Sequence, residues 1–454
     1  MIPLFALLAA PLMRPARPIR PPKPLLAGVA SVSITPPLAK MMVPLGGYAA
    51  RRGAAATGVH DPIFARALVL AQGGRRVAVV SVDLCFLPAG ITQAVRHDLV
   101  LRRHPLLAGA LFLSATHTHS APDPLAMDAA NTFHFQGWSS FDGPLLRFTA
   151  SRIALTIAEA ADRLVPVRMA AAQASVKGLN RNRRGGPSID RMMTVLTFQP
   201  VKAGRSACVV VFAAHPTLFS SSMMEISADW PGVMEAAVEQ KLGQGSCCLF
   251  LNGAEGDAAP AGETGSTESE RVTSYGRAVA TQALRLAYRN DFVPAPRLAL
   301  QPVRVSLPEP RPNGLYLLSA SGLGITFEKA GELVRQLMPR ATTISLIRLG
   351  PIVLAGLPCE PTGALGLSIE HDARLEGVRY PAVVALTNDW LAYALEASEY
   401  RLGNYEAGMS FYGSGLGSLL AASVKAALPQ LVRERKARGT SLRRPPSGTQ
   451  TNLR

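Results

Sequence analysis

The chain has 454 residues but only five cysteines, and no two of them form a Cys-x-x-Cys pair. That spacing excludes the usual structural zinc knot. Cys85, Cys208, Cys247, Cys248 and Cys359 are odd in number, and most sit in apolar runs. They read as small buried hydrophobes and not as a disulfide framework. Charge is also scarce: Asp, Glu, Lys and Arg make up 17% of the chain against 48% apolar residues, which excludes extended disorder. No apolar run reaches the roughly 18 residues needed to cross a bilayer. Acids are outnumbered, 31 against 47 bases, for a net charge of +16. The ends account for most of that excess. Arg14, Arg17, Arg20 and Lys23 give +4 in residues 1–25, and seven bases against one acid give 7 − 1 = +6 in residues 432–454. The body is therefore only mildly basic, which argues against a nucleic-acid partner and leaves a solvated tail as the reading of the C-terminal end.

The length suits one large or two ordinary domains. Residues 1–25, beginning MIPLFALLAAPLM, are apolar and then Pro- and Arg-rich. They read as a leader or linker: the protein is periplasmic or secreted if this segment acts as an export signal, and otherwise cytoplasmic. From residue 26 to 431 the pattern alternates. Buried strands are expected over 76–86, which is rich in Val, and over 109–119, 207–217, 247–260, 350–362 and 382–389, with a half-exposed strand over 297–306. Amphipathic helices are expected over 91–104, 143–164, 227–243 and 271–289. The helix over 227–243 has Asp229 as cap candidate, Pro231 in its first turn and Gly243 at its end. Such alternation predicts an α/β fold with a large, mixed, mostly buried sheet core and flanking helices.

Polar residues gather where the apolar runs stop. One run ends at His117 and His119, another at His215, and another at Asn252, Glu255 and Asp257. Two more end at Glu360 and at Asn388, Asp389 and Tyr393. In open α/β sheets ligands bind outside the carboxyl ends of the strands, so these ends predict one shared site. His117 and His119 stand two apart, a spacing that puts both side chains on one face of a strand. Imidazole is the commonest neutral ligand of zinc, and a catalytic zinc takes about three protein ligands and keeps one position open. His215 and Glu360 are the natural further donors.

With these residues in view, the chain resembles the neutral/alkaline non-lysosomal ceramidase family in its N-terminal catalytic domain. The matching segments are ITPP, GVHDPIFARALVL (58–70), SATHTHSAP (114–122), GLNRNRR (178–184), HPT (215–217), NGAEGDAAP (252–260), LPCEPT (357–362) and YEAGMSFYG (405–413), in family order from about residue 27 to 420. The resemblance implies zinc-dependent hydrolysis of an amide, the N-acyl bond of ceramide or another lipid-like or small N-acyl substrate. It implies a Zn²⁺ held by His117, His215, Glu360 and Tyr393, with His119, Tyr405 and an arginine as catalytic groups. The NRNRR register admits Arg181 or Arg183, and Arg181 is preferred. Glu255 and Asp257 are read as supporting or structural.

Two departures accompany the resemblance. Gly253 is aligned with the serine that ceramidases need for activity, and the chain leaves no room for the family's immunoglobulin-like C-terminal domain. The match is thus to a divergent, bacterial-type member. The alternatives are a metal-dependent esterase or amidase on a non-lipid substrate, and a non-catalytic binding homologue. Peripheral membrane contact is compatible with the charge pattern, and the sequence sets no oligomeric state.

Overall fold

The structure, a computed structural model, describes residues 23–134 and 138–432. Most of the leader, the basic tail from residue 433 and Phe135 lie outside the described residues. The folded unit starts slightly before the expected boundary. Leu25 is buried, and its carbonyl accepts the amide of Val167.

Twelve strands form two sheets. The larger contains β1 (Leu26–Ser33), β2 (Phe64–Gln72), β3 (Arg75–Val82), β4 (Leu111–Ala115), β5 (Val165–Ser175), β6 (Met192–Pro200), β7 (Ala207–Phe212) and β8 (Cys247–Asn252), in the order β8-β7-β6-β5-β1-β2-β3-β4. The smaller contains β9 (Leu298–Ser306), β10 (Ala341–Leu349), β11 (Ile352–Gly356) and β12 (Tyr380–Val384), in that order. Pairs β3–β4, β7–β8 and β11–β12 are parallel and the other main pairs antiparallel, so both sheets are mixed.

The alternation of side chains along each strand explains the layering. On β2, Leu68 and Leu70 face an apolar layer shared with Ile347, Leu349, Ile352 and Leu354 of the smaller sheet, so the two sheets stack face to face. Ala67 and Val69 point the other way, toward α1 (Ala89–Leu101) and α2 (Gly143–Asp162). On β7 and β8, Val210 and Phe250 pack under α3 (Asp229–Leu242) and α4 (Glu268–Ala287). The outer face of the smaller sheet is covered by α5 (Gly363–Leu375) and α6 (Leu416–Val432). The result is helices, sheet, sheet, helices. The sequence reading anticipated one sheet. The second was hidden because a run buried between two sheets looks the same as one buried under helices. One boundary also differs: α3 starts at Asp229 itself, with Ala228 in the capping position.

The larger sheet is curled. Its two halves join only where Leu26 and Ala27 meet Pro166 and Val165. Ser81 of β3 donates to the Phe250 carbonyl of β8 at 2.6 Å, and Asn252 Nδ2 to the Thr116 carbonyl at 3.3 Å. Strands at opposite ends of the order thereby meet. The free edge of β8 is closed by helix side chains: Glu239 Oε1 accepts the Cys248 amide and Glu235 Oε1 the Phe250 amide. An open edge is thus converted into a paired one. Arg66, itself buried, lies 2.6 Å from Glu235 and 3.3 Å from Asp83.

Candidate metal centre

The curl places the loops after β4, β7, β8, β11 and β12 at one end of the molecule. β4 stops at Ala115, so His117 and His119 stand beyond the strand and not on it as the spacing suggested. His117 has φ 75°, a left-handed conformation that costs a non-glycine residue roughly 1–3 kcal/mol and is typical of functional sites. Leu386, Asn388 and Ala392, in the loop after β12, share that conformation. It is this bend that brings the two imidazoles together, with Nε2 atoms 3.3 Å apart.

His117 Nδ1 lies 2.6 Å from the carbonyl oxygen of Cys85, and His215 Nδ1 lies 2.7 Å from that of Glu255. A carbonyl only accepts, so each Nδ1 carries a proton, and in the neutral form of each ring Nε2 presents a lone pair. Both lone pairs converge on Glu360 Oε2, at 3.3 Å from His117 and 3.6 Å from His215. That oxygen is buried and, among the described residues, has no hydrogen-bond partner, whereas Oε1 accepts from Trp390 Nε1 at 3.2 Å. Tyr393 Oη lies 3.3 Å from His215 Nε2. A buried carboxylate oxygen facing two acceptor nitrogens is unfavourable unless something positive lies between them. Backbone carbonyls that fix the far nitrogen are also the usual support of metal-binding imidazoles. The donor set therefore fits a cation, and His117, His215 and Glu360 form a possible buried metal site.

Without an ion, the electrostatics divide the three rings. Burial pulls His215 down to about 3, with Arg183 adding to the effect. Burial also holds His119 well below its ordinary value, reinforced by His117 and His215. Both rings are therefore neutral near pH 7. Burial alone would lower His117, but Cys85 and Glu360 outweigh it and hold that ring well above its ordinary value. Burial alone would raise Glu360, but His117, with His215, outweighs it and keeps the carboxyl ionised. Without an ion, His117 thus carries the positive charge that a bound cation would replace.

The groups around this cluster come from several elements. Of the two candidate arginines, the structure brings Arg183 to the site. Its Nη2 donates to Tyr393 Oη at 3.0 Å and to the Gly256 carbonyl at 2.8 Å, and its Nε donates to Glu406 at 2.7 Å. Arg181 is exposed on a short strand, opposite Ala259, which corrects the preferred register. The shift follows from the pairing of Asn180–Asn182 with Ala258–Pro260, after which the chain turns inward at residue 183. Tyr405 stands with its ring 5.7 Å from that of Tyr393, while 60% of the residue is exposed.

Asp257 is structural in its contacts, accepting from the Gly363 amide and from Asn182 Nδ2, both at 2.7 Å. Glu255 is fully buried, and neither carboxylate oxygen has a partner. The serine question changes in character. A Cβ at Gly253 would lie 3.0 Å from the Ala213 nitrogen. A side chain there would fit only if the end of the neighbouring strand gave way by a few tenths of an ångström.

Some supporting residues carried no clear signal in the sequence. Arg51 is buried and donates to the carbonyls of Gly46, His119 and Met223. The Tyr48 ring meets the His119 ring edge-on at 4.7 Å. Gly47 has φ 87°, and a Cβ there would come within 2.5 Å of the His119 ring. The Gly-Gly-Tyr run is the one hint the sequence gave of this close approach.

With this geometry in hand, comparison with known proteins is decisive at the level of family. Residues 25–271 match the model described as neutral/alkaline non-lysosomal ceramidase, N-terminal. The chain belongs to that family. The neutral ceramidase of Pseudomonas aeruginosa is 25% identical over 441 residues, covering 78% of this chain and 65% of its own length. The neutral ceramidase of Drosophila pseudoobscura pseudoobscura is 26% identical over 200 residues, 40% of this chain and 28% of that relative. The chain thus spans about two thirds or less of the length of these curated ceramidases. Among solved structures, that of the Pseudomonas neutral ceramidase superposes with a TM-score of 0.78 at 21% identity, over 90% of this chain and 75% of the other. A structure titled as a ceramidase complexed with C2 gives 0.77 at the same identity and coverage. Both show that this chain has the ceramidase fold.

Proposed function

We propose that the protein is a zinc-dependent amide hydrolase acting on an N-acyl, lipid-like substrate. The observation that carries this reading is the convergence of two Nδ1-protonated imidazoles on the unpartnered Glu360 Oε2 in a chain of the ceramidase family. His117, His215, Glu360 and Tyr393 would hold the ion. When bound, zinc supplies Lewis-acid polarisation of a carbonyl and a lowered pKa for water.

The chain's own residues provide the rest. His119, neutral at pH 7 and with its Nδ1 buried and unpartnered, takes up a proton at Nε2 and returns it to the leaving amine. Arg183, clamped by Glu406, presents a fixed positive charge beside Tyr393, where negative charge develops on the substrate oxygen. Tyr405 lies over the same point. Residues 26–431 carry all of these groups and are proposed as the catalytic domain.

The acyl group is assigned to the aromatic segment after the histidines. Among its described residues Phe133, Trp138 and Phe148 are half-buried, while Phe141 is exposed. Each buried CH₂ contributes about 0.8 kcal/mol, so kcat/KM should rise several-fold per added acyl carbon until these rings are covered. Metal analysis together with an N-acyl chain-length series tests the whole reading. A metal-containing enzyme with a flat series would favour an amidase or esterase on a small polar substrate. Absence of metal after zinc reconstitution would overturn the reading.

A further inference from the structure

A second constellation of catalytic residue types lies outside the Glu360 cluster and shares no residue with it. The segment before β2 pairs Gly58–Val59 with Glu225–Ile226, and the amide of His60 donates to the Ile226 carbonyl at 2.9 Å. Asp61 is anchored on both oxygens. Oδ1 accepts the Ala228 amide at 2.9 Å, and Oδ2 accepts the Ser227 hydroxyl at 2.5 Å. Asp61 Oδ2 also lies 2.8 Å from His60 Nδ1, and His60 Nε2 lies 3.2 Å from Ser269 Oγ. A carboxylate only accepts, so Nδ1 carries the ring proton and Nε2 is left as the acceptor facing the serine hydroxyl. The imidazole is braced edge-on against Phe219, ring centroids 5.1 Å apart.

Ser269 occupies the first turn of the 20-residue helix α4. There Thr267 Oγ1 accepts the Glu270 amide, and Glu270 Oε2 accepts the amides of Ser266 and Thr267. Those bonds leave the first-turn amides of Glu268 and Ser269 directed out of the helix end, where the helix dipole favours negative charge. Ser269 also borders an open depression of about 590 Å³, lined by Thr264, Gly265, Ser266, Thr273 and Ser274 together with the charged Glu270 and Arg277. The nucleophile, a correctly protonated base, an orienting acid and adjacent backbone donors are thus assembled around a polar recess.

We infer that Ser269, His60 and Asp61 form a second, metal-independent acyl-transfer site for small polar esters. Ser269 Oγ attacks the ester carbonyl carbon as its proton passes to His60 Nε2. The bond to the alcohol oxygen breaks, and that oxygen leaves with the proton from His60. Water then attacks the acyl-serine carbon, giving its proton to His60. The carboxylic acid departs, and Ser269 Oγ recovers the proton. The polar, partly charged lining selects short, polar acyl groups and is unsuited to long acyl chains.

The test uses the full chain after exhaustive metal chelation, with a serine-directed fluorophosphonate probe and p-nitrophenyl acetate. The probe should attach to the peptide containing Ser269, and Ser269→Ala should abolish both labelling and ester turnover. His60→Gln, at an exposed position, should slow both by about 100-fold or more, the usual worth of a general base. Labelling that is absent, that maps to another residue, or that is equally fast in His60→Gln would overturn the assignment. So would ester turnover that vanishes on chelation.

Discussion

Glu360 and Tyr393 are register partners in a two-residue parallel ladder, Glu360–Pro361 against Tyr393–Ala394. The backbone bonds that hold it run from the Glu360 amide to the Ala392 carbonyl at 2.9 Å and from the Thr362 amide to the Ala394 carbonyl at 3.0 Å. Two of the four proposed zinc donors are therefore set side by side by main-chain hydrogen bonding, before any ion is considered. A site whose donors are positioned this way binds without a large ordering cost.

The first prediction separates the paired histidines. His117→Ala removes an imidazole whose Nδ1 is locked on a carbonyl and whose Nε2 faces Glu360. The purified variant should contain less than a tenth of the wild-type zinc by elemental analysis. His119→Ala should retain most of the zinc and lose about 10²–10⁴-fold in kcat, the range for a general acid–base. Equal zinc loss in the two variants would reverse the assignment.

The two arginines offer a second test. Arg183→Lys keeps the charge but cannot reach Tyr393, the Gly256 carbonyl and Glu406 at once, because an ammonium lacks the planar fork. We expect kcat/KM for an N-acyl substrate to fall by about 10²-fold, in line with loss of an oxyanion donor. Arg181→Ala should stay within a factor of about two, since that side chain is exposed. Assays of the two variants side by side decide between the registers.

Packing between the two sheets is tested at Gly356. A Cβ there would lie 2.6 Å from the Phe112 ring and 2.7 Å from Thr387 Cγ2. Gly356→Ala should destabilise the protein by about 1–3 kcal/mol, the usual cost of overpacking. Chemical denaturation would show it as a lowered midpoint with an unchanged slope.

A fourth prediction concerns pH. Burial pushes the Asp229 carboxyl up to about 7, despite the amides of Trp230 and Phe219 that donate to it. The folded state then holds a proton that the unfolded chain has already released, since an unfolded Asp titrates near 3.9. Its contribution to stability is full below about pH 4, declines as pH rises toward 7 and is lost above that. Asp229→Asn cannot titrate. The wild type should therefore lose Tm relative to the variant between pH 5 and pH 7.5, whatever the offset between them. A constant difference across that range would count against the assignment.

The sequence by itself determined the element types, the family and the four proposed donor residues. Buried strands show as continuous apolar runs, Val-rich in β3 and β7 and built of Cys, Leu and Phe in β8, and all three were legible for that reason. Local spacing also marked His117, His215 and Glu360, because each ends an apolar run. Tertiary structure decided what no local pattern encodes. The curl that brings β8 to β3 and to the end of β4 rests on Ser81 and Asn252, residues whose partners are remote in the chain. The second sheet was invisible because burial between sheets and burial under helices select the same apolar residues. Arg183 displaced Arg181 because register, unlike composition, depends on which strand pairs opposite. The meeting of His117 with His119 arose from a left-handed bend past the strand end and not from the pleat. Such a bend persists only because the surrounding packing and the Cys85 carbonyl hold it, and those contacts exist only once the chain has folded.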